Sequence, residues 1–333
     1  MIAPMTHLRA GPAAISCVMP AYNEARNLEQ VVPRVLAALA ELADAFELIV
    51  VDDGSRDDTA EVMRALAQAH PQVVLIGLSR NFGKEAALTA GLAATRGDVV
   101  VLMDADGQHP AALLPEMLAR WRIGADVVYA VRRARNDQPR LYAGLADLFY
   151  KFVNWGNRIE IPAHAGDFRL MDRKVVDALG RLPERNRFMK GLYAWVGFTS
   201  TAIDYAPLPR VDGRSRYGLR GAFALGLTGL AAFSAAPLRL ITALGLLLSV
   251  VALGYGAWVV IEHFLSGNGV PGYATIVAGM MFLSGIQLLS LGVLAEYVAC
   301  IYEEVKRRPS YLIDRREGGG LPPRPVPDES APR

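Results

Sequence analysis

The chain has 333 residues, a formal net charge of +2 and a hydrophobic fraction of 52%. This length accommodates one soluble domain and a further segment, and the near-neutral charge argues against nucleic acid as a partner. Its two cysteines, Cys17 and Cys300, are far apart and show no CxxC or Cys/His spacing that would suggest a zinc site. We therefore expect two ordinary thiols in a reducing compartment.

Residues 1–13 form a short extension without the apolar core of a secretory signal, so the domain that follows is expected to stay in the cytoplasm. Short β-branched runs then alternate with helical stretches. The runs are Ile15–Met19, Leu48–Val51, Val73–Leu78, Val99–Met103 and Val127–Val131, and the helical stretches are Leu28–Leu42, Thr59–Ala69, Lys84–Ala94 and Leu113–Trp121. This alternation predicts an α/β domain over residues 14–217, with an open, mostly parallel sheet and helices on both faces.

Polar turns follow three of these runs, at Pro20–Glu24, Asp52–Ser55 and Asp104–Gln108. Because ligands bind at the carboxyl ends of parallel strands, we expect the three turns to converge on one edge of the sheet. An acidic side chain such as Asp53 suits a base N–H or a ribose hydroxyl. The alternative is a purely structural turn and helix cap, made through Ser55 or Asp58.

Asp104 and Asp106 stand two residues apart after the fourth run, with Ala105 expected to point the other way. Two carboxylates this close repel each other unless a cation lies beside them. Mg²⁺ or Mn²⁺, bound by the carboxylates and by substrate phosphates, fits this pattern. A solvated loop or a helix cap would explain the same motif taken alone.

The turn at Ser79–Glu85 opens a helix and lacks the spacing of a Walker A loop. Its backbone N–H groups, with Arg80 or Lys84, could meet a phosphate. A structural role for the turn remains equally open.

Two uncharged stretches near the end, Leu240–Ile261 and Val270–Ala295, contain 22 and 26 residues. About 20 helical residues cross a bilayer core, so residues 237–299 are predicted to form two transmembrane helices. The loop Glu262–Gly269 carries no Lys or Arg, whereas both flanks are rich in them. This asymmetry places both flanks in the cytoplasm and predicts a multi-pass protein of the inner membrane.

Residues 218–236 are apolar but contain Arg220 and several glycines, which is typical of an amphipathic helix along the membrane surface. Residues 300–333 are expected to form a cytoplasmic tail. Its end, after Gly318, is rich in Gly and Pro and is predicted to be disordered.

Six motifs resemble family 2 glycosyltransferases of the GT-A fold. They are VMPAYNEARN, VVDDGSRDDT, LSRNFGKEAALTAGL, MDADGQHP, AGDFRLMDRKVV and RFMKGLYAWVGF, in this order. The chain is most similar to the dolichol-phosphate mannose synthases and to the bacterial polyprenyl-phosphate (bactoprenol) glycosyltransferases. The resemblance covers roughly residues 14–300 and includes the two C-terminal spans.

The resemblance implies a role for each matching residue. The nucleotide-sugar would contact Pro20, Tyr22, Glu24, Val51, Asp53, Asp104, Ala105, Asp106, Gln108 and Arg132. Asp104, Asp106 and Gln108 would hold the metal, Arg210 and Arg216 would meet the phosphates, and Asp167 is the candidate catalytic carboxylate. Asp106, Arg210 and Arg216 complete the expected catalytic set.

The chain departs from the family pattern at three positions. Arg214 stands where the family commonly has Glu, which reverses a charge, and Arg216 replaces a Lys. Gly107 stands where the family commonly has Leu, which loosens the loop.

The reaction implied is inverting transfer of one sugar from a UDP- or GDP-sugar to a polyprenyl phosphate. A homo-oligomer that packs its membrane helices is expected. A processive polysaccharide synthase is a weaker alternative, because no QxxRW motif is present. A non-catalytic membrane scaffold or flippase component and a soluble nucleotidyltransferase are further alternatives. The choice of sugar and of nucleotide is not readable from the sequence.

Overall fold

A computed structural model describes residues 9–12, 14–132, 165–185, 187–209, 236–266 and 272–324. Eight strands within these residues form one sheet. The strands are β1 (Ala14–Ala21), β2 (Ala45–Asp52), β3 (Val73–Leu78), β4 (Val99–Leu102), β5 (Val127–Arg132), β6 (Ala165–Asp172), β7 (Ser200–Tyr205) and β8 (Ile313–Gly318). Their order across the sheet is β7-β5-β6-β4-β1-β2-β3-β8.

The sheet is mostly parallel. Strand β1 runs parallel to β2 and β4, β2 runs parallel to β3, and β5 runs parallel to β7, whereas β6 and β8 are antiparallel to their neighbours. The predicted mostly parallel α/β sheet is confirmed, and each of the five apolar runs forms a strand.

Helices cover both faces of this sheet. They are α1 (Ala25–Ala40), α2 (Thr59–Ala69), α3 (Lys84–Ala94), α4 (Leu114–Arg122), α5 (Arg173–Gly180) and α6 (Met189–Trp195). Because side chains alternate along a strand, β1 serves two cores. Cys17 and Met19 pack with Leu28 of α1, whereas Val18 packs with Leu88 of α3 on the other face.

Two long helices follow, α7 (Ala236–Ser266) and α8 (Tyr273–Lys306), of 31 and 34 residues. Among the described residues, the stretch Phe282–Lys306 of α8 is long and apolar enough to cross a membrane. It begins and ends further along the chain than the predicted span Val270–Ala295. A crossing by the other predicted span, Leu240–Ile261 in α7, stays a prediction. Of the predicted surface segment 218–236, all but Ala236 lies outside the described residues.

The chain returns to the sheet after α8. Strand β8 pairs antiparallel with β3, so that Gly318 faces Val74 in the register. Gly318 has a φ of 95°, and a Cβ there would lie 2.1 Å from the carbonyl oxygen of Val73. A larger residue would therefore separate the strands. Two expectations about the tail are therefore wrong. Residues Ile313–Gly318 belong to the sheet of the domain, and the chain after Gly318 continues against the domain to Leu321, which is buried.

The end of α8 contacts the domain at a second place. The backbone N–H of Arg185, between α5 and α6, donates to Glu304 Oε1 at 2.8 Å. The Arg185 Nε–H donates to the Arg308 carbonyl, also at 2.8 Å. Further along, the Ser79 N–H donates to the carbonyl of Leu312 at 3.0 Å. Helix α8 is thus joined to the domain by hydrogen bonds as well as by β8.

A buried carboxylate holds the segment after β8 against the sheet. Glu47 is 1% exposed. Its Oε1 accepts from the Ser16 hydroxyl at 2.6 Å and from the Arg96 N–H at 2.8 Å, and its Oε2 accepts from the Leu321 N–H at 3.0 Å. The Arg96 guanidinium in turn donates to the Leu321 carbonyl. Glu47 therefore connects β1, β2 and the segment after β8.

We predict that Glu47→Ala lowers the free energy of unfolding by about 3 kcal/mol, because buried donors lose their charged acceptor. Glu47→Gln keeps one acceptor oxygen and should lose less. Chemical denaturation of the detergent-solubilised protein measures both. An alanine variant as stable as the wild type would show that these hydrogen bonds contribute nothing.

Candidate active site at the carboxyl edge of the sheet

The three polar turns do end on one edge of the sheet. Strands β1, β2 and β4 are parallel neighbours, with Pro20 opposite Val51 and Val18 opposite Leu102 in the register. Their carboxyl ends therefore lie side by side. Tyr22 follows β1 and is half-buried at this edge.

The turn after β2 is braced by Asp53. Its two carboxylate oxygens accept from the N–H groups of Phe82, at 2.7 Å, and Gly83, at 2.9 Å. Burial raises the pKa of Asp53, although these hydrogen bonds oppose the shift. Gly54 has a φ of 66°, and a Cβ there would lie 2.4 Å from the Arg80 backbone. Asp53 thus ties this turn to the one before α3, and nucleotide contact stays a prediction.

The turn after β1 is held by the same loop. The Ser55 hydroxyl accepts from the Asn23 N–H at 2.8 Å, and the Thr59 hydroxyl accepts from the Glu24 N–H, also at 2.8 Å. The Asn23 side chain accepts from the Arg56 N–H at 2.7 Å. Asn23 has a φ of 51°, in the left-handed region that Asn tolerates. These contacts fix the backbone on either side of the Glu24 carboxylate.

Asp104 and Asp106 lie in the turn after β4. Both are half-buried, whereas Ala105 between them is 3% exposed, so the expected alternation holds even though the strand ends at Leu102. Asp106 Oδ1 accepts from the Gln108 N–H at 3.0 Å. The side chains of Ala105 and Val51 are buried. Any contact of these two residues with a ligand would therefore be made by their main-chain atoms.

His109 closes the turn. Its Nδ1 accepts from the Asp104 N–H at 2.9 Å, and its ring stacks on Phe168 with centroids 4.7 Å apart. Burial lowers the pKa of His109, despite the opposing charge of Asp104. A neutral imidazole is the form that can accept at Nδ1. His109 therefore fixes the backbone of the acidic turn without adding charge to it.

Lys84 joins the acidic turn to β6. Its Nζ lies 2.6 Å from Asp104 Oδ1 and 2.8 Å from Asp167 Oδ2. Burial alone would lower the pKa of Lys84, but Asp104 and Asp167 hold it well above its ordinary value. Burial would likewise raise the pKa of Asp167, but Lys84 and then Lys190 hold it well below the usual range. Lys84 and Asp167 therefore face each other as an ion pair.

Arg132 ends β5 opposite Tyr205 of β7. Burial raises the pKa of Tyr205, and the charges of Arg132, Asp104 and Asp106 also act on it. Arg132 and the acidic turn thus both act on Tyr205, and phosphate contact by Arg132 stays a prediction. Arg210, Arg214 and Arg216 lie outside the described residues.

Comparison with known proteins finds two matching families. The model of glycosyl transferase family 2 matches residues 16–180, and that of the GtrB C-terminal hairpin matches residues 236–301. The bactoprenol glucosyl transferase of Shigella phage SfX is 40% identical over 307 residues, which cover 91% of this chain and 99% of the relative. The chain belongs to glycosyl transferase family 2.

Two further relatives span nearly the whole chain. An uncharacterised glycosyltransferase of Synechocystis sp. is 43% identical, covering 90% of this chain and 94% of that protein. A prophage bactoprenol glucosyl transferase homolog of Escherichia coli is 39% identical, covering 90% and 98%. Among solved structures, a mannosyltransferase of Pyrobaculum calidifontis is 19% identical with a TM-score of 0.45, covering 89% of this chain and 88% of that one. That structure is a complex with GDP-mannose and Mn²⁺.

The structure adds residues to the site of this glycosyltransferase that sequence reasoning missed. His109 is one of them, and the sequence signal for it was its position directly after the acidic motif. The bridging role of Lys84 is another, because it depends on residues 20 and 83 positions away. Asp167 pairs with Lys84 at 2.8 Å, and the guanidinium of Arg169, two residues further along β6, lies 3.3 Å from the centroid of the Tyr193 ring.

Glu85 is a third residue missed. It follows Lys84 on α3, and its Oε2 accepts from the Met189 N–H at 3.2 Å. Burial, helped by the negative charge of Asp167, raises the pKa of Glu85 to about 7. This carboxylate therefore titrates near neutral pH beside the candidate catalytic residue.

We predict that the free energy of unfolding falls as pH rises from about 4.5 to about 7, in a way that depends on Glu85. The folded protein holds this proton up to about pH 7, whereas the unfolded chain releases it near 4.5. Folding is therefore favoured most below 4.5, and the benefit is lost by pH 7. Glu85→Gln should gain stability relative to the wild type across this window.

Melting temperatures at closely spaced pH values measure the difference. Glu61→Gln, at an exposed position in the first turn of α2, is the matched control and should follow the wild type. Parallel curves for Glu85→Gln and the wild type would contradict the prediction.

Proposed function

We propose that this protein is a membrane-anchored glycosyltransferase. It would transfer one sugar from a UDP- or GDP-sugar to a polyprenyl phosphate at the cytoplasmic face of the inner membrane. The observation that carries the proposal is the convergence of Asp104, Asp106 and Asp167 at the carboxyl edge of a sheet that is tied to a long apolar helical hairpin. The names of the bactoprenol glucosyl transferases, 39–40% identical over nearly their whole length, support the acceptor.

The donor side would be built on the acidic turn. No three acidic, His or Cys side chains form a metal-holding group within the described residues. Two half-buried carboxylates completed by diphosphate oxygens nevertheless suit Mg²⁺ or Mn²⁺, which bind substrate phosphates together with one or two carboxylates. Asp104 and Asp106 would hold the ion, with Gln108 as the third predicted ligand. The ion would offset the charge on the departing nucleoside diphosphate.

The acceptor side would need no strong base. The second pKa of a phosphate monoester is about 6, so the polyprenyl phosphate is largely dianionic at pH 7. Its oxygen would attack C1 of the sugar as the bond from C1 to the diphosphate breaks, which inverts the anomeric centre. Asp167, held ionised beside Lys84, would orient this reaction rather than take up a proton. Positive charge from Lys84 and Arg132, with Arg210 and Arg216, would bring the two anionic substrates together.

The path of the chain supports the two-span arrangement that we propose. Strand β7 precedes α7, and β8 follows α8, yet both strands belong to one sheet. A chain that leaves this domain and returns to it must cross a membrane an even number of times. If α8 crosses through Phe282–Lys306, the segment before it crosses as well, which favours the two-span, multi-pass arrangement.

The test of function is sugar transfer into an organic-extractable lipid. Purified protein is supplied with undecaprenyl phosphate, Mg²⁺ or Mn²⁺, and a panel of labelled UDP- and GDP-sugars. We expect label in the lipid with one donor, abolished by EDTA and reduced at least about 100-fold in Asp104→Asn, since an electrostatic contact to the leaving group is lost. Lys174→Gln, which removes a cation paired with Asp126 away from the site, is the control.

Failure to label lipid with any donor, from folded protein that binds nucleotide, would refute the polyprenyl phosphate acceptor. Label that persists in Asp104→Asn would refute the role of the acidic turn.

We further predict that Ser266, at the end of α7, faces the periplasm and Ser310, after α8, faces the cytoplasm. Single cysteines at these positions are introduced after replacement of Cys17 and Cys300. A membrane-impermeant maleimide added to intact cells with a permeabilised outer membrane should label residue 266 alone. Disruption of the inner membrane should add labelling at 310. Equal labelling of both sites in intact cells would contradict the two-span arrangement.

A further inference from the structure

Lys84 has an unusual position for a lysine. It begins α3, directly after Gly83, whose φ of 99° turns the chain into the helix. Its side chain is 27% exposed and reaches two carboxylates, one in the turn after β4 and one in β6. Lys84 is therefore a cation held within the site, and not a surface lysine free to leave it.

One of those carboxylates is the first aspartate of the acidic turn. The Lys84 Nζ lies 2.6 Å from Asp104 Oδ1, and Asp104 is itself 29% exposed. On the other side, Asp104 Oδ2 lies 3.9 Å from Nε2 of His109. The carboxylate is thus approached by an ammonium group on one oxygen and by an imidazole on the other.

The second carboxylate keeps the ammonium in place. Asp167 Oδ2 lies 2.8 Å from the Nζ, and the Asp167 side chain is 14% exposed. Asp167 Oδ1 is buried with no hydrogen-bond partner among the described residues. If Lys84 moved away, Asp167 would lose its compensating charge at a buried position, which is strongly unfavourable.

A divalent cation on Asp104 would lie about 2.1 Å from a carboxylate oxygen. Lys84 would then be a second cation within roughly 5 Å, where repulsion inside a protein is strong. A bound diphosphate, with two or more negative charges, would offset this repulsion. The empty site and the site with diphosphate should therefore differ greatly in affinity for the metal.

We propose that Lys84 is a positioning residue that makes metal binding depend on the donor diphosphate. While no nucleotide is bound, its ammonium pairs with both Asp104 and Asp167 and so lowers the affinity of Asp104 for a divalent ion. The ion and the diphosphate then enter together, while Lys84 remains paired with Asp167. This inference rests on the proposed function, from which it takes Asp104 and Asp106 as the metal ligands.

The test is a titration of the full-length, detergent-solubilised protein with Mn²⁺, read from the EPR signal of the free ion. It is made without nucleotide and repeated with saturating UDP or GDP. Without nucleotide, Lys84→Gln should bind Mn²⁺ about tenfold more tightly than the wild type, because the competing charge is gone. The enhancement of Mn²⁺ affinity by the nucleotide should shrink by the same factor.

Charge and shape are separated by further variants. Lys84→Arg keeps the charge and should stay within about twofold of the wild type, and Lys84→Met, a second neutral variant, should reproduce the gain. Lys174→Gln loses the same charge from a lysine whose Nζ lies 2.7 Å from Asp126 Oδ1, and should bind Mn²⁺ like the wild type. If Lys84 merely supported the fold, its replacement would not raise the affinity of the protein for Mn²⁺.

Asp104→Asn distinguishes the possible failures. If neutral variants of Lys84 bind Mn²⁺ no more tightly than the wild type, while Asp104→Asn weakens binding, the inference is wrong and the metal site stands. If Asp104→Asn leaves Mn²⁺ binding unchanged in both the wild type and Lys84→Gln, both the inference and the metal site fail. Loss of the Lys84→Gln gain in the double variant with Asp104→Asn is the supporting result.

Discussion

Parallel neighbouring strands must end on the same edge of a sheet, and the candidate site depends on this constraint. In this protein β1, β2 and β4 lie side by side, so turns that are separated by more than 80 residues of sequence meet at one edge. Each turn is then held by its neighbour: Asp53 accepts from the backbone before α3, and the hydroxyls of Ser55 and Thr59 hold the backbone after β1. The geometry of the edge therefore comes from hydrogen bonds between the turns rather than from any single turn.

Charge balance determines the rest of the site. Asp104 and Asp167 reach the edge from strands that pair antiparallel, and Lys84 lies between them. Without an ammonium group at this position, two carboxylates would share a partly buried space without the lysine that contacts both. The same positive charge is useful to a reaction that joins an anionic donor to an anionic acceptor, so stability and function place the same demand on this residue.

Much of this arrangement could be predicted from the sequence because it is local. The apolar runs that became β1 to β5 are short, β-branched and bounded by turns, and α2 and α3 begin and end at the predicted residues. Strand β8 could not be predicted, because Ile313–Gly318 is mostly charged and becomes a strand only through its pairing with β3. Lys84 was recognised as a phosphate candidate, but its contact with Asp167 depends on how β6 enters the sheet, which no local pattern encodes.

The acidic turn shows the same limit at smaller scale. Alternation along a strand was the reason to expect Asp104 and Asp106 on one side, and burial of Ala105 agrees with it. Yet β4 ends at Leu102, so the turn is shaped by the Asp106–Gln108 hydrogen bond and by His109 instead. The two carboxylates therefore lie on one side, as expected, because of tertiary contacts that the sequence pattern does not reveal.

The return of the chain to β3 has a mechanical consequence. A domain carried on one helix could swivel about that stalk, and its site would sweep through a range of heights and directions. Here α8 is followed by β8, which pairs with β3 in the sheet, and the hydrogen bonds of Arg185 to Glu304 and Arg308 oppose rotation of the domain about the end of α8. The edge of the sheet is therefore held in place relative to the end of α8, and the lipid acceptor that we propose would meet it at a fixed depth.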